Sequence, residues 1–269
     1  MPKFSILVVC LNPGEKLKST IESIGKQTCR DYEIIVKDGM SADGSLDFLK
    51  EKPEIKVIRK KDKGIYDAMN QAAAEAGGRY VYFLNCGDVF YDENVLSKMA
   101  ALIEENPVRW GIYYGNIYER QTGQAVFSNP GLDAFGCYRN VPCHQACFYD
   151  RDLLKEHPFD TEYKVRADYE QFLWCFFKKH SGDTKGFVYG EILVADYEGG
   201  GFSETKANRR VSAREHKEIV HKYMSRGQIC RYRLILWITL APLRTKMAEN
   251  EKTAGIYNRM KKLFYRQSK

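Results

Sequence analysis

Three carboxylates stand where side chains of that kind could do chemistry. Asp88 closes "YFLNCGD", an apolar run that breaks into an amide, a thiol and a glycine before the acid. A glycine beside a carboxylate leaves room for a bulky ligand, and a hard divalent cation there would take further oxygens from phosphate groups. Such an ion neutralises charge on a departing diphosphate. The same residues also suit a plain turn with a cap for a helix starting at Glu93. Asp38 precedes "GMSADGS", where glycines let backbone N–H groups approach a nucleoside base or ribose. A strand-to-helix turn, with Asp43 and Gly44 capping the next helix, accounts for it equally well. Asp168 opens a helix that carries Phe172, Trp174, Phe176 and Phe177. It reads as a helix cap or, against that apolar wall, as a general base for a substrate hydroxyl.

Residues this far apart in the chain act together only if regular elements bring them to one rim. "FSILVVCL" reads as a buried strand, and the following helix has Leu17, Ile21 and Ile24 on one stripe. "YEIIVKD" is a second strand, "GSLDFLKE" a short helix and "IKVIRK" a third strand. "GIYDAMNQAAAEAG" is a helix closed by Gly77 and Gly78, and "RYVYFLN" is a fourth strand. This alternation predicts right-handed crossovers and a Rossmann-like, mostly parallel central sheet flanked by helices. Ligands of such sheets sit outside the carboxyl ends of the strands, at Cys10 to Asn12, Asp38 to Asp43, Lys60 to Gly64 and Asn85 to Asp88. From Trp110 the pattern loosens into short strands, "WGIYYGNIYE" and "AVFS" about a turn at Gly123, then "HQACFYD". Helices are expected over 203–226, over 229–247 with an interruption near Pro242, and over 254–265.

The chain has 269 residues, 44% of them hydrophobic, enough for one large core or two modest ones. Eight cysteines are spread through the predicted elements instead of framing a small scaffold, which favours free thiols and a reducing compartment. Cys137, Cys143, His144 and Cys147 lack the CxxC pair of a zinc knuckle. Phe4 to Leu11 is too short for a secretory signal, and Leu234 to Leu243 is about half a membrane span. The net charge is +7, yet residues 206–269 hold 17 basic against 4 acidic side chains. This basic appendage on a mildly acidic body implies an anionic partner, a membrane surface or nucleic acid.

Taken together, the segments resemble the family 2 glycosyltransferases, inverting enzymes of the GT-A fold, here of the surface-polysaccharide type. Phe4 to Phe90 carries the strongest resemblance, "HQACFYD" and "ADYEQF" a weaker one to about Gly201. The resemblance implies a catalytic domain over 1–205, with a nucleotide-sugar half (1–100) and an acceptor half (101–205), and a helical extension over 206–269. It further implies that Cys10, Asp38, Lys63, Asp67 and Asn85 bind the nucleotide. Asn85 and Gly87 stand at the two acidic positions of the family's DxD motif, which leaves Asp88 as the ligand of Mn2+ or Mg2+. Asp168 matches the base, although Ala167 replaces the usual preceding Glu, and His144 and Gln145 would bind the acceptor. The implied partners are a nucleoside diphosphate sugar, a UDP-sugar first, and a saccharide or lipid-linked saccharide. Residues 226–246, with Arg231, Arg233, Arg244 and Lys246 around Trp237, have the makeup of an interfacial helix. Peripheral attachment to the inner face of the plasma membrane, or a homodimer through this segment, follows. Two other functions stay open here: transfer to a polyprenyl phosphate, and nucleic-acid binding by the tail, which shows no reading motif.

Overall fold

The structure is a computed structural model that describes residues 2–199 and 205–239. Its centre is a nine-stranded sheet in the order β3-β2-β1-β4-β8-β6-β9-β5, with β7 paired to β6. β1 (Phe4–Cys10), β2 (Tyr32–Asp38), β3 (Ile55–Arg59) and β4 (Tyr80–Phe83) are all parallel, as the alternation of strands and helices requires. Every residue of β1 is buried, the signature of a strand covered on both faces. α1 (Lys16–Gly25) buries Leu17, Thr20, Ile21 and Ile24, the expected stripe, and α2 (Ile65–Ala74) packs Tyr66, Met69 and three alanines inward. Gly78 lets the chain after α2 pass against β1: a Cβ there would lie 2.6 Å from the backbone nitrogen of Ser5.

Beyond β4 and the two-residue β5 (Val89–Phe90), the chain forms α3 (Val95–Glu105) and then β6 (Ile112–Glu119), which makes a hairpin with β7 (Gln124–Val126) around Gly123. After α4 (Ala134–Arg139), β8 (Cys147–Asp150) enters antiparallel between β4 and β6, followed by α5 (Arg151–Glu156). α6 (Ala167–Trp174) runs into a π-helical turn at Cys175–Lys179, and β9 (Phe187–Tyr197) lies parallel to β6. Tyr82 stacks between Phe90 and Phe148, with centroids 5.2 and 4.4 Å away. Its hydroxyl donates to the Gln145 carbonyl at 2.8 Å, so the apolar wall beneath the strand end also holds the following loop.

Several local expectations are corrected. "GSLDFLKE" forms only a 3-10 turn, Asp47–Glu51, because so short a segment gains too few bonds to nucleate an α-helix. The helix expected at Glu93 begins at Val95, since the Glu93 carbonyl instead accepts the Thr28 N–H. The tail forms α7 (Lys206–Tyr223) and α8 (Arg226–Ile238). α8 starts at a capping box made by Ser225 and Gln228, three residues earlier than expected. The expected helix over 254–265 and the segment around Pro242 lie outside the described residues. The chain divides into two compact units, one over Met1–Ile219 and the other beginning at Val220.

Candidate active site

The polar ends of β1, β2 and β4 share one rim. Cys10 pairs with Asp38 across β1 and β2, and β4 flanks β1 on the other side, so Asp38 and the end of β4 lie roughly 10 Å apart. Burial, then the neighbouring Cys86 and Asp38, push the Cys10 thiol up to about 12, which makes it a neutral wall. Asp38 is fully buried. Its carboxylate accepts from the Ser41 N–H at 3.0 Å, the Ser41 hydroxyl at 2.5 Å and Arg59 Nε at 3.1 Å. It therefore fixes the loop after β2 and meets the rim through that loop. Beneath it, buried Lys37 donates to Asp62 Oδ2 at 2.7 Å and to the Lys60 carbonyl at 2.8 Å, tying the loops after β2 and β3 together. Lys63 is exposed, and its N–H donates to Asp67 Oδ2 at 2.8 Å. Asp67 also accepts from Gln71 Nε2 at 3.1 Å, so it secures the first turn of α2.

At the end of β4 the turn "NCGD" is held by its neighbours. Thr20 Oγ1 accepts the Gly87 N–H at 3.0 Å and donates to the Asp88 carbonyl at 2.8 Å. Asp88 is 3% exposed; its Oδ1 accepts the Glu198 N–H at 2.9 Å and its Oδ2 accepts Gln145 Nε2 at 3.3 Å. Burial raises the Asp88 pKa above its ordinary value; the two hydrogen bonds only partly offset this, and the Glu198 carboxylate adds to the rise. Gly87 has a φ of +103°, and a Cβ on it would lie 2.6 Å from Glu198 Oε2. The Glu198 carboxylate, paired with Lys16 at 2.7 Å, thus fills the space a side chain at 87 would need. Asn85 Oδ1 is buried without a hydrogen-bond partner. An oxygen-seeking divalent cation suits this donor set: one carboxylate, a second nearby and a free amide oxygen. Among the described residues no three His, Cys, Asp or Glu side chains converge on one point, so such an ion needs phosphate oxygens to complete its shell.

The base candidate is joined to this turn through "HQ". His144 Nε2 meets Asn85 Nδ2 at 3.1 Å and its Nδ1 meets Asp168 Oδ2 at 3.2 Å. With the amide as donor, the ring proton sits on Nδ1 and is donated to Asp168. Asp168 Oδ1 accepts the Tyr66 hydroxyl at 2.8 Å, and the Asp168 side chain is 24% exposed. Burial pulls its pKa upward, but the hydrogen bond from His144, together with that from the Tyr66 hydroxyl, outweighs it and holds the carboxylate below its ordinary value. Gln145, adjacent to His144, is the residue that reaches Asp88. The structure thus links Asp168, His144, Asn85, Gln145 and Asp88 into one neighbourhood, with Cys10 and Asp38 further along the rim and Lys63 and Asp67 at the start of α2.

Sequence reasoning missed Tyr66 and Glu198. Tyr66 is buried next to Asp67 in "GIYDAMN", and Glu198 directly follows β9 just before a glycine run, a placement that could have drawn notice. Replacing Tyr66 by Phe removes a donor to the ionised Asp168, so its pKa rises. A lowered carboxylate pKa contributes stability above the unfolded value and loses it as pH falls through the folded value. The variant gives up part of that stability, and the acid limb of its kcat/KM profile moves to higher pH. An unmoved limb in a pH–rate measurement would show that the hydroxyl does not tune the group that sets it.

Residues 5–157 match Glycosyl transferase family 2, and the chain belongs to that family. Asp168 lies beyond the matched span. The "PGL/p-HBAD biosynthesis glycosyltransferase" of Mycobacterium bovis (strain BCG / Pasteur 1173P2) is 36% identical over 211 residues, 76% of this chain and 80% of that protein. The Escherichia coli "UDP-Glc:alpha-D-GlcNAc-diphosphoundecaprenol beta-1,3-glucosyltransferase WfaP" is 30% identical over 183 residues, 64% of this chain and 70% of its own length. A mannosyltransferase from Pyrobaculum calidifontis, solved with GDP-Man and Mn2+, shares the fold with a TM-score of 0.60 at 16% identity. That match covers 82% of this chain and 64% of the solved one, and the chain spans 60% of other solved chains that it resembles. The protein is a glycosyltransferase with the GT-A fold.

Proposed function

We propose that the protein is an inverting transferase that moves a sugar from a nucleoside diphosphate donor, a UDP-sugar, to a hydroxyl of a saccharide carried on a lipid. The observation that carries this reading is the hydrogen-bonded path from Asp168 through His144 to Asn85 and, by way of Gln145, to Asp88. It sets a lowered-pKa carboxylate beside the turn at which a diphosphate would lie. The Cys10 wall, the loops fixed by Asp38 and Asp67, and Lys63 would line the nucleoside side. His144 and Gln145, held in place by these bonds, would face the acceptor. The relative that acts on a diphosphoundecaprenol-linked sugar supports a lipid-linked acceptor over a bare polyprenyl phosphate.

In the reaction, Asp168 takes the proton of the acceptor hydroxyl as that oxygen bonds to the anomeric carbon. The bond to the diphosphate breaks on the opposite face, which inverts the centre. The Tyr66 hydroxyl also lies 2.8 Å from the Val165 carbonyl. It donates to Asp168 while the carboxylate is charged and can turn its hydrogen to Val165 once the carboxyl is protonated, so the hydroxyl keeps an acceptor in both states. Asp88 would hold a divalent cation, with Glu198 and Asn85 Oδ1 close by. When bound, the ion supplies charge neutralisation to the leaving diphosphate. Incubation with a panel of sugar nucleotides and lipid-linked saccharides, followed by NMR of the new linkage, tests the proposal. A product that retains the donor's anomeric configuration would refute it.

We also propose that α8 rests on an anionic membrane surface. Leu234, Trp237 and Ile238 are exposed at helical spacing, opposite buried Ile229 and Tyr232, with Arg226, Arg231 and Arg233 exposed on the same helix. No helix among the described residues is long and apolar enough to cross a membrane. The full chain should float with vesicles containing anionic lipid and lose this on truncation after Ser225. Unchanged flotation would rule the segment out, and a concentration-dependent dimer without flotation would assign the stripe to a second copy.

A further inference from the structure

We propose that Glu215, in the basic tail, is a positioning residue for the catalytic base. The inference rests on the reading of Asp168 as that base. Glu215 is 3% exposed on α7 and accepts three consecutive backbone N–H groups from the loop that leads into α6. Its Oε1 takes Lys164 N at 2.9 Å, and its Oε2 takes Val165 N and Arg166 N, each at 3.0 Å. α6 has no side-chain cap of its own: its N-cap, Arg166, supplies none. A carboxylate from another helix therefore holds the donors just ahead of the helix start, where a negative charge is favoured.

The neighbours of Glu215 act on the same segment. Ser212 accepts Arg166 Nε at 2.8 Å. The His216 ring stacks on Tyr169, one residue past the base, with centroids 5.1 Å apart, and its Nε2 donates to the Tyr138 carbonyl at 3.0 Å. Ser212, Glu215, His216 and buried Ile219 recur at helical spacing, so one face of α7 is built against this loop. From the other side, the Tyr66 hydroxyl contacts both the Val165 carbonyl and Asp168. Residues 164–166 are clamped between Glu215 and Tyr66, two positions before the carboxylate that must meet an incoming hydroxyl. Misplacement of a reacting group by about 1 Å costs roughly a hundredfold in rate, so a clamp at this point acts on turnover as well as on stability.

The test uses the full chain with Glu215→Ala, Glu215→Gln and Asp168→Asn. The measurements are turnover of whichever donor the panel identifies, UDP affinity, and deuterium exchange of the peptide spanning 164–169. Glu215→Ala should lower kcat about ten- to a hundredfold, leave the donor KM and UDP affinity within about twofold, and raise exchange in that peptide. Glu215→Gln should recover part of the rate, because its carbonyl can accept two of the three N–H groups. If Glu215→Ala does not fold, Glu215→Gln alone should still show faster exchange and a several-fold lower kcat. Wild-type kcat and protection in the folded variants, while Asp168→Asn is inactive, would overturn the clamp and leave the base intact. Retained turnover in Asp168→Asn would instead remove the base itself.

Discussion

Asp168→Asn should lower kcat by about a thousandfold while UDP binds as tightly as to wild type. The substitution keeps the shape of the side chain and an oxygen for the Tyr66 hydroxyl, so the start of α6 should stay in place. What is lost, on the proposed mechanism, is the group that receives the acceptor's proton. General-base catalysis is worth roughly 10²- to 10⁴-fold, and the lowered pKa of Asp168 favours readiness over strength: the carboxylate is ionised at neutral pH but is a weaker base for it. Single-turnover assays beside UDP titrations check this. An unchanged kcat would place the base on another residue.

The second large effect is expected at the end of β4. Asp88→Ala should reduce the Mn2+-dependent part of nucleotide affinity by about a hundredfold and leave metal-free nucleotide binding close to wild type. Because burial raises the Asp88 pKa, Mn2+ binding in the wild type should weaken, as pH falls, sooner than it would for an ordinary aspartate. Thermal-shift titrations of UDP with and without Mn2+, repeated across pH, read both effects. Equal Mn2+ enhancement in Asp88→Ala and wild type would move the ion elsewhere.

The parts of the molecule that follow from local pattern were readable in the chain. β1 is seven apolar or small residues in a row, α1 keeps its stripe, and the rule that ligands gather at carboxyl ends of parallel strands points to the rim where Asp38, Asn85 and Asp88 lie. What was not readable depends on pairings across long stretches of chain. Tyr66 meets Asp168 from 102 positions away, and Asp88 meets the Glu198 N–H from 110 away; neither partnership has a period or a spacing. Composition gave no signal for Glu215, since an acid in a strongly basic stretch looks like solvated surface. Asp67 was legible by its type and motif, but its bond to the Lys63 N–H was not.

The crowding at Gly87 bears on how this site could change over generations. An acid introduced at 87 alone would meet the Glu198 carboxylate at its first side-chain atom, on a backbone that disfavours any side chain. Restoring a second acid to the turn therefore requires the Glu198 carboxylate to swing aside, breaking its pair with Lys16, and a side chain to be carried at a φ of +103°. The positive φ, which no change at 198 relieves, weighs against a second acid in this turn.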